Sequence, residues 1–486
     1  AIEIGANALT ATAAQLDGVT VNNDAGGHVQ VTNLEATPSA DLSNVLTADG
    51  NESLVDAELA TTAGETITLT AENLGVANVI ISGDGTVDVT GTFVDYDRDE
   101  DGEIATTGET ASFEVGENAT LELTAAQAND REVDGTGTLN IGDLGQGPAD
   151  IDLSNIAVET LAFASVATDI TLASEADLGQ VGEGEGVLFT VEEGVTFALN
   201  SRQADEQRIA GEGSALIDTV GQQARTVDIT AADSNAGQQS ITLNYTLNGV
   251  AGAVTVNNSV TNFTDLNAII DAFEQAFESV TGIEAFSAIA DGTGPFNNLG
   301  LGNLALTANA ELPFTIDSVD VVNDGSSLAA EESGNVLLSN NTLETVTTAE
   351  QTVTFDQNVF FQGNLGGSTE QVLTLDGEGK FILFGTFINQ PAELVLVATA
   401  ELYMNADANA SGLNVSGDGV LRLADVDTDN AAIDLSGIAV DTVLELGAGV
   451  TFAGNFNTTA QVTVEGGFEL DISGLNDATN TVPANL

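Results

Sequence analysis

The sequence predicts a mainly β protein, built from β-solenoid-like or stacked β-sandwich repeat modules with one inserted small α+β domain. The first observation is the alternation of polar and apolar residues in short runs, as at residues 67–70, 86–89, 138–141 and 462–464. Such a period of two is typical of strands with one buried face. Clusters of Gly, Asn and Asp separate the runs and supply the turn chemistry between strands.

The second observation is an internal repeat. Residues 135–161 and 417–443 align without a gap at an offset of 282, and 13 of the 27 positions are identical. Repeats of this length indicate a stacked scaffold, because each unit buries its apolar face against its neighbours.

The third observation is a looser module of strand, polar corner, Gly-x-Gly turn and second strand. Asp-Leu-Ser elements follow several of these turns, and glycine allows the backbone to approach neighbouring coils closely. Ordinary hairpin turns are the alternative, but recurrence in one context favours stacked coils. Because the spacings of 52, 76 and 40 residues are irregular, we expect two coils, or a coil plus a loop, in each module. The turns begin at Gly83, Gly135, Gly211, Gly377 and Gly417, and the Asp-Leu-Ser elements at Asp41, Asp152 and Asp434.

The middle of the chain breaks this pattern. Residues 240–257 predict a β-hairpin, and residues 264–280 predict an amphipathic helix with an apolar face at spacings of three and four. Thr264 is placed to cap that helix, and Asp265 favours its positive end. We therefore predict an N-terminal β repeat region at 1–225, an inserted α+β domain at 226–322 and a C-terminal β repeat region at 323–486.

The composition excludes several classes of function. The chain has 75 Asp and Glu against 7 Lys and Arg, a net charge of -68, which excludes nucleic acid and anionic membranes as partners. Because 42% of residues are hydrophobic, we expect a folded chain rather than a disordered one. No apolar run approaches the ~20 residues of a membrane span, so direct membrane insertion is not expected. The start at Ala1 predicts a removed leader or a trimmed chain.

An Asp-rich loop at residues 95–104 is the clearest candidate for a metal site. Its alternating acids and one glycine match the first half of an EF-hand-type calcium loop, and Ca²⁺ prefers ~6–8 oxygen ligands. A solvated acidic loop is the alternative, since no helices flank the motif. The predicted calcium ligands are Asp95, Asp97, Asp99, Asp101, Glu103 and Glu109.

A second acidic run, residues 425–429, is a weaker calcium candidate. It lacks the glycine, and the matching positions of the first repeat copy are not rich in Asp. Catalysis has few carriers: the chain has no Cys, and its one His, His28, is expected to be a satisfied turn or strand residue. With no Trp and three Tyr, a sugar cleft lacks aromatic platforms. We therefore predict that the protein is not an enzyme.

Short elements of the modules, Leu123-Thr-Ala-Ala-Gln127 and Asp152-Leu-Ser154 among them, resemble repeats of large secreted bacterial surface proteins, namely surface-layer proteins and calcium-dependent adhesins of the repeats-in-toxin kind. The resemblance covers about two thirds of the chain and implies export, calcium-dependent folding and self-assembly. The nonapeptide calcium repeat of those adhesins is absent here, so their calcium roll is not implied.

Two functions are therefore expected. The first is a secreted, self-assembling structural protein, a subunit of a bacterial surface layer or extracellular filament stabilised by calcium or salt. The second is a calcium-dependent adhesin fragment that binds another cell or a cell-surface glycan. Both place the protein outside the cell or on its surface, and the first makes other copies of the chain its main partner.

Overall fold

The computed structural model is mainly β, and parallel stacked sheets form a β-solenoid of about 13 turns. The predicted β-solenoid is therefore confirmed, in preference to stacked sandwiches. The structure describes residues 2–22, 27–45, 55–93, 97–98, 104–105, 111–158, 161–173, 176–179, 187–205, 207–219, 224–231, 240–247, 250–257, 266–277, 283–287, 304–308, 314–322, 329–343, 345–355, 358–383, 386–387, 389–397, 399–406, 410–426, 433–446, 450–451, 455–456, 461–465 and 470–471.

These residues fall into two compact units, Ala1–Phe197 with Gln207–Gly213, and Ala198–Glu206 with Ser214–Leu486. The strands up to residue 218 are β1 Ile2–Glu3, β2 Leu9–Thr12, β3 Val21–Asn22, β4 Val29–Thr32, β5 Val55–Thr61, β6 Thr66–Thr70, β7 Asn78–Gly83, β8 Thr86–Thr90, β9 Asp97–Arg98, β10 Ile104–Ala105, β11 Ser112–Val115, β12 Thr120–Leu123, β13 Val133–Gly135, β14 Thr138–Ile141, β15 Ile156–Val158, β16 Leu161–Val166, β17 Ile170–Thr171, β18 Val187–Val191, β19 Thr196–Asn200 and β20 Arg208–Asp218. Short helices are α1 Ala13–Leu16, α2 Ala125–Ala128 and α3 Ser201–Ala204, with 3-10 turns at Leu34–Ala36, Ala71–Asn73 and Leu144–Gln146.

The later strands are β21 Ala224–Ala231, β22 Ser240–Leu247, β23 Val250–Asn257, β24 Ile283–Ser287, β25 Leu304–Ala308, β26 Phe314–Val322, β27 Ala329–Thr342, β28 Val346–Phe355, β29 Val359–Leu365, β30 Val372–Gly377, β31 Gly379–Leu383, β32 Thr386–Phe387, β33 Glu393–Leu396, β34 Ala400–Asn405, β35 Val415–Gly417, β36 Val420–Val426, β37 Asp434–Leu435, β38 Asp441–Leu446, β39 Val450–Thr451, β40 Asn455–Phe456, β41 Val462–Glu465 and β42 Leu470–Asp471. Within the described part of the chain, the one longer helix is α4, Leu266–Phe277.

In the first unit, successive strands of a coil go to two parallel sheets. One sheet has the order β2-β4-β5-β7-β11-β13-β15, and the other runs from β6 through β8, β12, β14 and β16 to β18. The alternation seen in the sequence places every second side chain inside, where Val87, Phe113 and Leu121 are buried. The second unit repeats this plan, with parallel ladders β28-β30-β33-β35 and β27-β29-β31-β34-β36-β38-β41.

The coil is shorter than the spacing of the Gly-x-Gly turns suggested. Register partners lie 18 residues apart at Thr120 and Thr138, 26 apart at Val29 and Val55, and 34 apart where β9 and β10 are inserted. Gly83 and Gly135 therefore mark corners two coils apart, which agrees with the expectation of two coils in each module. The coil between them turns at Gly116-Glu-Asn118, where Asn118 adopts a φ of 70°.

The two copies of the long repeat adopt the same local structure. β13 and β14 of the first copy correspond to β35 and β36 of the second, at the offset of 282 residues. In each copy the first glycine of Gly-x-Gly has a positive φ, 114° at Gly135 and 108° at Gly417. A Cβ on either would lie 2.2 Å from the Val115 carbonyl oxygen or 2.0 Å from that of Leu396, one coil below. These turns therefore require glycine, because the backbones of neighbouring coils touch there.

The middle segment holds the predicted hairpin and helix. β22 and β23 pair antiparallel without interruption from Ser240 and Asn257 to Leu247 and Val250, which confirms the hairpin. α4 confirms the predicted helix over Leu266–Phe277, and Ile269, Phe273 and Phe277 on its apolar face are buried. The proposed cap at Thr264 and Asp265 lies outside the described residues.

The limits of the inserted domain, 226–322, stay a prediction. Parallel coil pairing is present within the predicted C-terminal region, where β27 pairs with β29 from Val336 onwards. Its preceding half pairs antiparallel with β21.

Candidate functional site

The first candidate site in the first unit is the base of the acidic segment 94–110, which we call the root of the acidic loop and define by the flanking residues Phe93 and Ala111. Asp97 lies in β9, which pairs antiparallel with β10 through Arg98 and Ile104. Asp95, Asp99, Asp101, Glu103 and Glu109, the other predicted calcium ligands, lie outside the described residues. The calcium site therefore stays a prediction.

Arg131 holds the two ends of this loop together. Its guanidinium lies 4.0 Å from the ring centroid of Phe93, just before the loop, and its Nη1 donates to the Ala111 carbonyl, just after it, at 2.8 Å. The side chain is buried, and Nε donates to the Gln127 carbonyl at 3.2 Å. One of only seven basic residues thus fixes the base of the most acidic loop. The rarity of basic residues was the signal that sequence reasoning missed.

Gln127 supports the same root from α2. Its side-chain Nε2 donates to the carbonyls of Val89 and Gly91, at 3.0 and 2.8 Å, and its Oε1 accepts from the Thr124 N–H at 2.8 Å. The Thr-x-x-Gln sequence is a capping box, which satisfies the first N–H groups of a short helix. Gln371 of the second unit likewise donates to the carbonyls of Val346 and Thr348. Buried glutamines therefore tie successive coils together.

The Asp-Leu-Ser corners use their carboxylates internally. Asp152 Oδ1 accepts from the N–H and the hydroxyl of Ser154, at 2.9 and 2.6 Å. Asp41 makes the same pair of bonds to Ser43, and Asp434 accepts from the Ser436 N–H. These aspartates close turns, as is usual for such short side chains.

Asp143 occupies the position of the first repeat copy that matches Asp425 in the weaker calcium candidate. Its carboxylate accepts from the N–H groups of Gly145, Ala167 and Thr168 and from the Thr168 hydroxyl. Burial raises the pKa of Asp143. The hydrogen bonds from Ala167, Thr168 and Gly145 together lower it by more than burial raises it, so the pKa lies below its ordinary value. This carboxylate joins two coils. Residues 427–429 of the second run lie outside the described residues.

A pH experiment tests the role of Asp143. Because its folded-state pKa is lowered, the carboxylate stabilises the fold above the unfolded value of about 3.9, and this stabilisation disappears as the pH falls through the folded pKa. We expect Asp143→Ala to lower the unfolding free energy by about 1 kcal/mol at pH 7, a modest value because the group is partly exposed. The difference from wild type should shrink as the pH falls through the lowered folded-state pKa of Asp143.

Denaturant titrations at several pH values measure this, with the exposed Asp84→Ala as the control. A difference between Asp143→Ala and wild type that stays constant down to the acid limit would contradict the assignment.

A cluster of charged side chains crosses one sheet of the second unit. Arg422 donates from Nε to Glu401 at 2.8 Å and from Nη1 to Glu445 at 2.7 Å, and Lys380 lies 3.8 Å from Glu401. Tyr403 donates to Glu445, and burial, followed by this bond, raises the pKa of its hydroxyl far above the ordinary value. Lys380 and Arg422 neutralise the charges of Glu401 and Glu445. A structural role in holding neighbouring strands together therefore accounts for the cluster, and no catalytic role is needed.

His28 pairs with Asp56, with Nε2 2.9 Å from the carboxylate oxygen Oδ2. Asn78 also donates to Asp56, and Ser112 donates to Asn78, so this polar ladder runs from His28, just before β4, across β5, β7 and β11. The expectation that His28 is a satisfied turn or strand residue agrees with this geometry. Among the described residues, no group of three or more His, Asp or Glu side chains is arranged to hold a metal ion.

The sheets of both units end in strands whose outer edges are candidates for assembly. Among the described residues, β2 ends one sheet of the first unit, and β41 ends one sheet of the second. The Leu9 N–H donates to the His28 carbonyl, so the alternation of a parallel ladder turns the N–H and C=O of Thr10 away from β4. The Thr442 N–H donates to the Gln461 carbonyl, which turns the corresponding groups of Val462 and Val464 away from β38.

No helix within the described ranges is long and apolar enough to cross a membrane. Comparison with known protein families, curated proteins and solved structures found no match for the chain.

Proposed function

We propose that this protein is a secreted, self-assembling structural protein, a subunit of a bacterial surface layer or extracellular filament stabilised by calcium or salt. The single observation that carries the proposal is the stacking of parallel coils in each unit, with β2 at the edge of a sheet of the first unit and β41 at the edge of a sheet of the second among the described residues. An edge strand is a template for strand addition by another chain. A contact between two different edges is heterologous, so it closes into a ring or propagates as a polymer.

The charge of the chain sets the conditions for assembly. A net charge of -68 repels a second copy, and salt shortens the range of this repulsion to about 8 Å at 0.15 M and about 3 Å at 1 M. Assembly is therefore expected only when monovalent salt or Ca²⁺ is present. The resemblance to secreted surface proteins is the second support for this setting.

Electron microscopy and sedimentation test the proposal. We expect wild-type protein in high salt with Ca²⁺ to form ordered polymers, and Thr10→Pro to suppress them, because proline removes an N–H that β4 does not use. Thr10→Val keeps the N–H and is the matched control. Wild-type protein that stays monomeric at high concentration, or Thr10→Pro polymers equal to those of wild type, would contradict the proposal.

Calcium is expected to stabilise the fold through the loop at residues 95–109. Ligand at 100 times its dissociation constant contributes about 2.7 kcal/mol by mass action. Thermal melts with Ca²⁺ and with EDTA measure the effect, which Asp99→Ala should remove and the exposed Asp84→Ala should leave intact. An unchanged calcium shift in Asp99→Ala would place any site elsewhere.

One observation favours the alternative function, a calcium-dependent adhesin that binds a cell-surface glycan. The exposed face of the sheet β23-β22-β26 carries a polar row in which Asn244 Nδ2 donates to Ser318 at 2.9 Å and to Asp320 at 2.8 Å, and Thr246 donates to Asp317. Amide, hydroxyl and carboxylate groups of this kind suit sugar hydroxyls. Binding to a glycan array that Asn244→Ala abolishes, without polymers in the microscope, would favour this alternative.

A further inference from the structure

The hairpin strand β23 lies in the longest part of the chain without charge. Residues 234–264 contain no Asp, Glu, Lys or Arg, although the whole chain carries 82 of them in 486 residues. Because the rest of the molecule repels other copies, an uncharged strand is a surface on which two copies can meet without a local electrostatic cost.

β23 forms one edge of the three-stranded sheet β23-β22-β26 and, within the described part of the chain, pairs only with β22. The two strands are joined by two residues, so the flanking pair, Leu247 and Val250, exchanges both backbone hydrogen bonds. By the antiparallel alternation, Ala251, Ala253 and Thr255 then turn their N–H and C=O groups away from β22.

The exposed face of this edge is small and smooth. Ala251, Ala253 and Thr255 on this face are exposed. The opposite face is held rigid, since Val254 and Val256 are buried and the Tyr245 ring covers Gly252. Tyr245 in turn lies 6.0 Å from the Phe277 ring of α4. The outward groups are therefore presented on a fixed strand.

The other edge of the same sheet is protected in the ways that natural proteins use against strand addition. β26 carries Asp317 and Asp320, and its register with β22 shifts between Asn244 and Tyr245. β23 has neither a charge nor a proline, and its register is uninterrupted. This contrast within one sheet distinguishes β23 as the edge left open for pairing.

We propose that β23 is a homotypic interface, at which it pairs antiparallel with β23 of a second copy about a two-fold axis. Both partners then present the same uncharged edge, so every backbone group turned outward finds its complement. The small side chains of Ala251, Ala253 and Thr255 let the two strands approach. This lateral contact is distinct from the contact between β2 and β41 and does not depend on it.

The test uses the full chain carrying Thr10→Pro, so that end-to-end polymers do not obscure a dimer. Sedimentation velocity in 1 M NaCl over about 1–200 μM protein is expected to show a reversible dimer. Ala253→Pro removes an N–H that β22 does not use, and Ala253→Glu places like charges across the interface. Each should weaken dimerisation at least tenfold, whereas Ala253→Ser should change it less than about threefold.

Hydrogen exchange of the β22 amides shows whether each variant keeps the hairpin. A chain that stays monomeric throughout the concentration range, or Ala253→Pro and Ala253→Glu dimers as tight as the parent, would overturn the proposal. Because the parent already lacks the Thr10 edge, failure here leaves the end-to-end polymer of wild-type protein as a separate result.

Discussion

Gly135→Ala is expected to lower the free energy of unfolding by about 3 kcal/mol. Two costs add. A φ of 114° is strained for any residue with a Cβ, at ~1–3 kcal/mol, and the new Cβ would lie 2.2 Å from the Val115 carbonyl oxygen, so the coils must separate locally. In a stacked coil protein the damage should concentrate in the neighbouring coils, which hydrogen exchange resolves.

Gly64→Ala is the matched control for this prediction. Gly64 also has a positive φ, 78°, but nothing lies within 4 Å of its added Cβ, so only the backbone strain of ~1 kcal/mol remains. Gly417→Ala should reproduce the Gly135 result, since its Cβ would lie 2.0 Å from the Leu396 carbonyl oxygen. Equal losses at Gly64 and Gly135 in denaturant titrations would show that coil contact at the corner contributes nothing.

Gln127→Leu is expected to cost about 3 kcal/mol and to loosen the acidic loop. Leucine keeps much of the volume of the side chain. It removes the hydrogen bonds that Gln127 makes to the carbonyls of Val89 and Gly91 and to the N–H of Thr124. Each buried polar group that loses its partner costs ~1–3 kcal/mol, and relaxation recovers part of the sum. Trypsin should then cleave after Arg98 faster than in wild type, because the root of the loop opens more often.

Gln15→Leu is the control for this second prediction. Gln15 occupies the same place in its Thr-x-x-Gln box and accepts from the Thr12 N–H at 2.9 Å, but it is exposed. Its loss should cost about 0.5 kcal/mol, the lower end of the range for a helix cap, and leave cleavage at Arg98 unchanged. If the two variants lose the same stability, the bonds from Gln127 to the neighbouring coil are not important.

The local sequence patterns predicted that the chain forms stacked coils, but they did not predict the number of residues in each coil. The Gly-x-Gly turns mark coil corners because glycine is required where two backbones touch, as at Gly135. The period was hidden because the intervening corner uses Asn118 with a left-handed backbone, which a search for glycine pairs passes over. The Asp-Leu-Ser motif was visible, and it closes a turn with donors of its own, since Asp152 accepts from the Ser154 N–H.

The contacts between side chains of different coils were not predictable from the local sequence. The partners of Gln127 lie 36 and 38 residues earlier, a distance set by the length of the inserted loop. The pairing of Arg422 with Glu401 and Glu445 likewise depends on strand register, since one residue of slip turns a side chain to the other face. Because the chain has only seven basic residues, the contacts of each one are informative.

The coil from β8 to β12 shows how such a protein can acquire new parts. Thr86 and Thr120 remain register partners although 34 residues separate them, whereas Thr66 and Thr86 are 20 apart. An insertion of about fourteen residues therefore left the ladders on both sides in place. A corner between β8 and β11 is thus a place where evolution, or an engineer displaying a foreign peptide, can lengthen one connection without redesigning the interior.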